Sequence, residues 1–318
     1  MNPARIAVLA GGVSLERDVS LRSGRRVADA LADRGHQVTR LDLDETLVAA
    51  LAGGDFDVAY LALHGKAGED GTVQGLLEVL DIPYTGPDAV ASALAWNKSV
   101  AKGLFARAGL STPPWIALST EAIRDMGAAR TLGRVIDRLG TPVVVKPAQG
   151  GAAMGVRLAA DATALPAALV SAYSYHDVVL VERFIDGVEV AVSVVDGQAL
   201  PSVEIVPRRG AYDFSARYTP GATDFFAPAR LGPGPLDACA RTALRAWEVA
   251  GCRHVTRADL IVDGDGCPWL LELDTCPGMT ETSLLPMAAA AHGWPFEELC
   301  ERIVAAALAG NRSAPPLS

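Results

Sequence analysis

Val255–Met279 reads VTRADLIVDGDGCPWLLELDTCPGM. Two short alternating runs flank Asp263-Gly264-Asp265-Gly266, a turn-forming cluster, which predicts an antiparallel hairpin. Side chains alternate faces along a strand, and facing positions in a hairpin keep a constant index sum. A turn centred between Gly264 and Cys267 sets Asp259 opposite Glu272 and Arg257 opposite Asp274, so that all four project from one face. Leu260, Val262, Trp269, Leu271 and Leu273 are then assigned to the other face, the one a packed sheet buries.

Three carboxylates and an arginine on one face are costly to desolvate unless something neutralises them. Hard oxygen ligands without His or Cys favour magnesium, which takes one or two carboxylates together with substrate phosphates. The arginine would then face charge that develops during a reaction. Taken alone, a solvated hairpin face with incidental ion pairs accounts for these residues equally well. An EF-hand is excluded, because the Asp263/Asp265 run continues with Cys267 and lacks the required Asp/Asn series.

The chain has 318 residues, half of them hydrophobic, enough for a substantial core and two or three domains. A net charge of −9 argues against a general nucleic-acid surface, but not against an anion held in a local basic pocket. Cys239, Cys252, Cys267, Cys276 and Cys300 are odd in number and include no C-x-x-C pair, which predicts reduced, mostly buried thiols and no zinc site. The apolar run in MNPARIAVLAGG is too short for a signal peptide and continues into a strand–turn pattern. No apolar stretch approaches 18 uncharged residues, the length a membrane span needs. A cytoplasmic protein with no membrane partner is expected.

Ile6–Leu9 is a short apolar strand ending in Gly11-Gly12, followed by a helical pattern from near Val19 to Gly35. Gln37–Leu41 and Val58–Leu63 are two more strands with a short helical pattern between them. Alternating strand and helix imply a parallel, doubly wound unit, whose ligands sit beyond the carboxyl ends of the strands. The loops Gly11–Asp18 and His64–Gly71 should therefore converge. AGGVSLER does not supply the G-x-G-x-x-G fingerprint of dinucleotide binding. Glu16 is either a solvated loop acid or a ligand for a substrate ammonium. His64 either bonds its own loop or belongs to the same site; the meeting of the two loops favours the site.

Helical runs follow over Asp88–Trp96 and from Asn97-Lys98 to Ala108, and Pro113-Pro114 marks entry into a second sheet. Thr141–Gly155, TPVVVKPAQGGAAMG, places a β-branched strand and Lys146 before a glycine-rich loop. Such a loop lets backbone N–H groups approach phosphate oxygens, with Lys146 as a point charge. It is not a Walker A motif, and in isolation a flexible surface hairpin explains it better. Val178–Glu182 runs into VERFIDGVE, where Glu182 and Glu189 bracket Phe184, a set suited to an amino-purine and ribose beside an apolar wall. By itself it is more simply a strand end and a loop. Val190–Val195 and Leu200–Val206 are further strands. Gly210–Pro228, with Arg217 and Tyr218, has no regular period and is expected to be a mobile lid. Helices are expected over Pro235–Ala250 and Phe296–Leu308, with a disordered tail NRSAPPLS.

In order along the chain, AVLAGGVSLERDVSL, ALHGKAGEDGTVQGLLE, IPYTG, VVVKPAQGG, VERFIDGVE, TRADLIVDGDG and LLELDTCPGMTETSLLPM resemble the D-alanine–D-alanine ligases of the ATP-grasp superfamily. The resemblance runs from Ala4 to Ala309. It implies an α/β fold with an α+β C-terminal part: an N-terminal doubly wound parallel-sheet domain (1–96), then a two-domain ATP-grasp fold (97–185 and 186–318) with a lid at about 210–228. It implies that Lys98, Lys146, Glu182 and Glu189 contact ATP, with Arg217 where the family lid usually carries a phosphate-binding lysine. Asp259, Glu272 and Asp274 would hold two magnesium ions, or manganese, and Arg257 would stabilise the transferring phosphoryl group and the tetrahedral oxyanion. Glu16 would bind the first substrate's ammonium, with Val19 and His64 nearby, while Gly278, Ser283 and Leu284 match positions that hold the second amino acid. Tyr218 matches the lid tyrosine that depsipeptide-forming relatives lack. The implied activity joins two D-alanines through an acyl phosphate for peptidoglycan precursor synthesis, and the implied assembly is a homodimer.

Four positions depart from the family pattern. Ala152 stands where the glycine-rich loop usually has a serine bonded towards the lid tyrosine and the first-loop glutamate. Asp274 replaces asparagine, Cys276 replaces serine, and Ala258 replaces a larger apolar residue. These changes leave the nucleotide residues intact and open an alternative, a related amino-acid ligase or cyclase of specialised metabolism with another substrate. A non-catalytic nucleotide-binding protein is opposed by the full set Lys98, Lys146, Arg257, Asp259 and Glu272.

Overall fold

The computed structural model describes residues 2–310 apart from 211, 213–215, 218 and 220. Tyr218 and the tail Asn311–Ser318 therefore lie outside the described residues. The first sheet is parallel, with β1 (Arg5–Ala10) between β2 (Gln37–Asp42) and β3 (Val58–Leu61). The crossovers are α1 (Arg17–Asp33) and α2 (Leu47–Gly53). Ile6, Ala7, Val8 and Leu9 are fully buried, as expected of a strand covered on both faces. At Gly24 of α1 an added Cβ would lie 2.4 Å from the Ala10 side chain, so helix and strand approach too closely for any side chain there. Helices α3 (Thr72–Val79) and α4 (Ala89–Trp96) lead out of this unit to α5 (Lys98–Arg107).

The second sheet is antiparallel in the order β4 (Trp115–Ser119), β7 (Val178–Arg183), β5 (Val143–Pro147), β6 (Arg157–Ala159). Its core joins Leu118, Val143, Val145 and Val181 to Leu139 of α7 (Ala128–Leu139) and to Leu165 and Leu169 of α8 (Leu165–Tyr173), with α6 (Thr120–Met126) ahead of them. The apolar face of α5 is not part of this core: Ala101 and Phe105 pack with the third sheet.

That third sheet runs β11 (Thr223–Phe226), β10 (Val203–Pro207), β8 (Gly187–Val195), β12 (Val255–Asp263), β13 (Pro268–Asp274), with β9 (Gln198–Ala199) paired to β8. Helix α9 (Pro233–Val249) covers one face through Cys239, Ala243 and Ala246. Helices α10 (Leu284–His292) and α11 (Phe296–Gly310) fill the space between this sheet and the first one. Among the described residues no helix is long and apolar enough to cross a membrane, and all five cysteines are free.

The hairpin β12–β13 keeps the predicted pairs Arg257↔Asp274 and Asp259↔Glu272. Towards the turn the register slips to Leu260↔Leu270, leaving Leu271 as an extra residue. This bulge corrects the assignment of the apolar face: Leu260, Val262, Leu270 and Leu273 enter the core, whereas Trp269 and Leu271 stay half-buried. The segment expected to lack regular structure also needs correction. Residues 223–226 form β11, whose pairing partner is β10. Arg208–Asp224 and Arg230–Glu204 ion pairs flank that edge, and a four-residue strand of this kind leaves no local periodicity to read.

Candidate active site

The carboxyl ends of β1 and β3 bring two loops together, as expected of a doubly wound unit: Ser14 Oγ donates to the His64 carbonyl at 2.7 Å. Glu16, buried at the start of α1, faces the glycine-rich loop after β5, where a Cβ on Gly151 would lie 2.4 Å from its Oε1. Gly150, Ala152 and Ala153 have φ of 138°, 49° and 55°. Left-handed backbone at two alanines is costly, and the turn is closed by the Met154 N–H on the Gly151 carbonyl at 3.2 Å.

Two ligand-sized chambers meet at this loop. One is lined by Glu16, Val19, His64, Glu69, Arg257, Asp274, Cys276, Gly278, Ser283 and Leu284, and the other by Lys146, Met154, Glu182, Phe184, Glu189, Ile261 and Leu271. They share Lys98, Gly150, Gly151, Tyr212, Arg217 and Glu272. The bulge explains how Leu271 and its neighbour Glu272 both reach the second chamber.

Charge is concentrated at the junction. Arg257 clamps Asp259 through Nε at 2.6 Å and Nη2 at 2.9 Å, and reaches Asp274 through Nη1 at 2.8 Å. Lys98 Nζ lies 3.3 Å from Glu272 and donates to the Gly150 carbonyl at 2.6 Å. Burial pushes the Glu272 carboxyl upward, but Lys98, Lys146, Arg217 and Arg257 outweigh it and bring it to about 2. In the second chamber Lys146 Nζ meets Glu182 at 2.9 Å. Burial raises Glu189 to about 7, although Arg217 opposes the shift.

His64 is held on both sides. Its Nδ1 lies 3.1 Å from the Cys276 carbonyl and its Nε2 2.9 Å from Ser23 Oγ, which also accepts the Met279 N–H at 3.2 Å. A carbonyl only accepts, so Nδ1 carries the proton and Nε2 accepts from the serine hydroxyl. The circuit fixes both ends of Cys276–Met279. Arg26 adds a bond to the Met279 carbonyl at 2.9 Å while stacked 3.6 Å from the Phe296 ring centroid. At the centre of this loop an added Cβ on Gly278 would lie 2.7 Å from Ser283 Oγ.

Residues 104–305 match the family model described as D-ala D-ala ligase C-terminus, and residues 47–87 match its N-terminus counterpart. The chain belongs to the D-alanine–D-alanine ligase family. A relative from Anaeromyxobacter dehalogenans, named D-alanine--D-alanine ligase, is 46% identical over 94% of this chain and 96% of its own length. The solved D-alanine–D-alanine ligase of Bacillus anthracis has a TM-score of 0.86 at 33% identity, covering 97% of this chain and 99% of that one. The same enzyme complexed with ATP gives 0.82 at 31% identity, covering 98% and 99%. These matches carry the ATP-grasp fold inferred from the seven motifs.

All the described residues to which the family resemblance gives a binding or catalytic role border the two chambers, except Asp259, which reaches the junction through Arg257. Of the departures from the family pattern, Ala152 and Cys276 line the first chamber and Ala258 is buried in the core. His64 lines its chamber, yet both ring nitrogens are engaged by protein atoms. Among the described residues no three His, Cys, Asp or Glu side chains form a ready-made metal cage. The donor set still fits magnesium, because hard carboxylates on one face need only one or two protein ligands when phosphate oxygens complete the shell.

Three residues escaped the motif reading. Lys102, 1% exposed, reaches Glu182 at 3.1 Å. Its position four residues after Lys98 on one helix was the available signal. Glu69 lines the first chamber and accepts the Gly65 N–H at 2.8 Å; burial, with Asp274 and Glu16 nearby, raises its carboxyl well above the usual range. Tyr212 lies under Arg217, 4.3 Å from ring centroid to guanidinium, and carried no local signal.

Proposed function

We propose that the chain joins two D-alanines into D-alanyl-D-alanine at the expense of ATP. The observation that carries this reading is the shared wall: a lysine-rich chamber and a carboxylate-lined chamber open onto Lys98, Gly150, Gly151, Arg217 and Glu272. Phosphoryl transfer to a carboxylate needs its two reactants presented across such a wall. The ligase names of relatives matched over nearly the whole chain support it.

In the second chamber Glu182 and Glu189 bind the adenine and ribose of ATP beside Phe184, and Lys98, Lys146 and Arg217 face its phosphates. Glu16 takes the ammonium of the first D-alanine, with Val19 and the His64 circuit shaping the pocket, and Gly278, Ser283 and Leu284 receive the second. Asp259, Glu272 and Asp274 hold magnesium, or manganese, which supplies charge neutralisation for the phosphates when bound. A carboxylate oxygen of the first D-alanine attacks the γ-phosphorus and ADP leaves. The amine of the second attacks the acyl carbon, the tetrahedral oxyanion forms beside Arg257 and the Gly278 N–H, and phosphate departs. The three units 1–96, 97–185 and 186–318 enclose the reaction, with 210–228, the segment that carries Tyr218 in sequence, as the lid. The acyl phosphate is thereby kept from water. The enzyme works in the cytoplasm, for peptidoglycan precursor synthesis, as a homodimer.

The test is phosphate release from ATP and magnesium with D- and L-amino acids, singly and paired, with products identified by mass. D-alanyl-D-alanine from D-alanine alone is the expected product. Turnover only with another acid would move the chain, with its Ala152 and Asp274, to a different substrate, and bound ATP without turnover would make it non-catalytic.

A further inference from the structure

Lys102 lines neither chamber, yet it is bonded to the wall of one of them. Its ammonium meets Glu182 Oε1 at 3.1 Å, while Lys146 holds Oε2 at 2.9 Å. It also donates to Thr112 Oγ1 at 2.6 Å, and that hydroxyl donates to the Leu270 carbonyl at 2.8 Å. The Leu270 N–H in turn bonds the Ser111 carbonyl at 2.8 Å. Leu270 is the last paired residue before the bulge that turns Leu271 and Glu272 into the second chamber.

We propose that Lys102 is a positioning residue for ATP, which holds the Glu182 carboxylate in place and, through Thr112, pins the bulge that presents Leu271 and Glu272. This rests on the second chamber being the ATP site. A lone Lys146–Glu182 pair would be neutral, and its buried carboxylate would keep one oxygen without a counter-charge. Two ammonium groups on one carboxylate leave the wall with a net positive charge, which suits a polyphosphate. Burial lowers the Lys102 pKa to about 8, with Glu182 opposing that shift, so the cation persists at neutral pH.

The experiment compares wild type with Lys102→Gln and Thr112→Val, measuring ATP binding by calorimetry and separate KM values for ATP and D-alanine. Lys102→Gln is expected to weaken ATP binding about tenfold, the loss of one charge-assisted bond, with the D-alanine KM unchanged. Thr112→Val is expected to shift the ATP KM in the same direction by a smaller factor. Equal ATP affinity in Lys102→Gln and wild type, or a loss shared equally by both substrates, would overturn the role. If Lys102→Gln does not fold, Thr112→Val decides: unaltered ATP binding refutes the proposal and weakened binding supports it. A wild-type chain that binds no ATP would overturn the site assignment underneath.

Discussion

Replacing His64 by glutamine separates two consequences of burying a histidine between α1 and the Cys276–Met279 loop. The ring is 5% exposed, and burial, with Arg257 adding to it, lowers its pKa to about 4 even though the Cys276 carbonyl favours the cation. An unfolded histidine titrates near 6.5. Between those values the unfolded chain binds more protons than the folded one, so stability falls as the pH drops. The contribution is intact above pH 6.5 and lost as the pH approaches 4. Over the whole window the loss is about 3 kcal/mol, and between pH 7 and pH 5 it is about 2 kcal/mol. Protonation would also place a second N–H against the Ser23 hydroxyl, which would have to give up its own donation to the ring.

Glutamine cannot titrate. His64→Gln is expected to cost ~1–2 kcal/mol at pH 7, where bonds to Ser23 and Cys276 are imperfectly replaced, and then to lose about 2 kcal/mol less than wild type on going to pH 5. The acid loss does not vanish, because His254, 7% exposed, is likewise lowered to about 4 by burial. Urea unfolding followed by tryptophan fluorescence at pH 7 and pH 5 measures both numbers. Identical pH slopes for variant and wild type would refute the reasoning, since the buried circuit could not then be holding the ring neutral.

Arg257→Ala should abolish turnover while leaving ATP binding largely intact, as calorimetry beside phosphate release will show; lost ATP affinity without a specific loss of rate contradicts the assigned role. Gly151→Ala inserts a Cβ 2.4 Å from Glu16 Oε1 and is expected to raise the KM of the first D-alanine at least about tenfold, because the carboxylate must move. An unchanged KM would mean that Glu16 does not bind that substrate. Asp274→Ala removes one of the two carboxylates on Arg257 and the oxygen ligand that asparagine would keep, and should raise the magnesium concentration for half-maximal rate several-fold, read from a metal titration; an unchanged midpoint removes Asp274 from the ligand set.

The charged face of the hairpin was legible because one turn fixes the index sum, and Arg257, Asp259, Glu272 and Asp274 pair as it predicts. The bulge was not legible. It occurs where Leu270 is tied to Ser111 and Thr112, far away in sequence, and no property of β13 itself announces that tie. The convergence of the Glu16 and His64 loops followed from strand direction alone, since parallel strands deliver their ends to one edge. What His64 does there did not follow, because Ser23 and Cys276 come from a helix and a loop that only the tertiary fold brings together. Lys102 was hidden for a similar reason. Its spacing from Lys98 puts both on one helix face, but only the meeting of two sheets shows that one ammonium serves Glu272 and the other Glu182.

Burial argues against one of the two accounts that the hairpin sequence left open, the solvated face. A solvated face would leave its charges exposed, whereas Arg257 is 8% exposed and Asp259 4%. Asp259 is paired by Arg257 of its own strand, and three other carboxylates have a cation delivered from outside theirs: Lys98 from α5 for Glu272, Arg257 from β12 for Asp274, and Lys102 and Lys146 for Glu182. Buried ion pairs rarely stabilise a fold more than well-packed apolar residues of the same volume would, since desolvation offsets most of the attraction. Several such pairs packed where three sheets meet are therefore poorly explained as a device for stability. Under the proposed reading they form a charge-balanced surface whose cations would turn to phosphate and whose carboxylates would turn to metal once ATP enters, so that little reorganisation is left for the reaction itself.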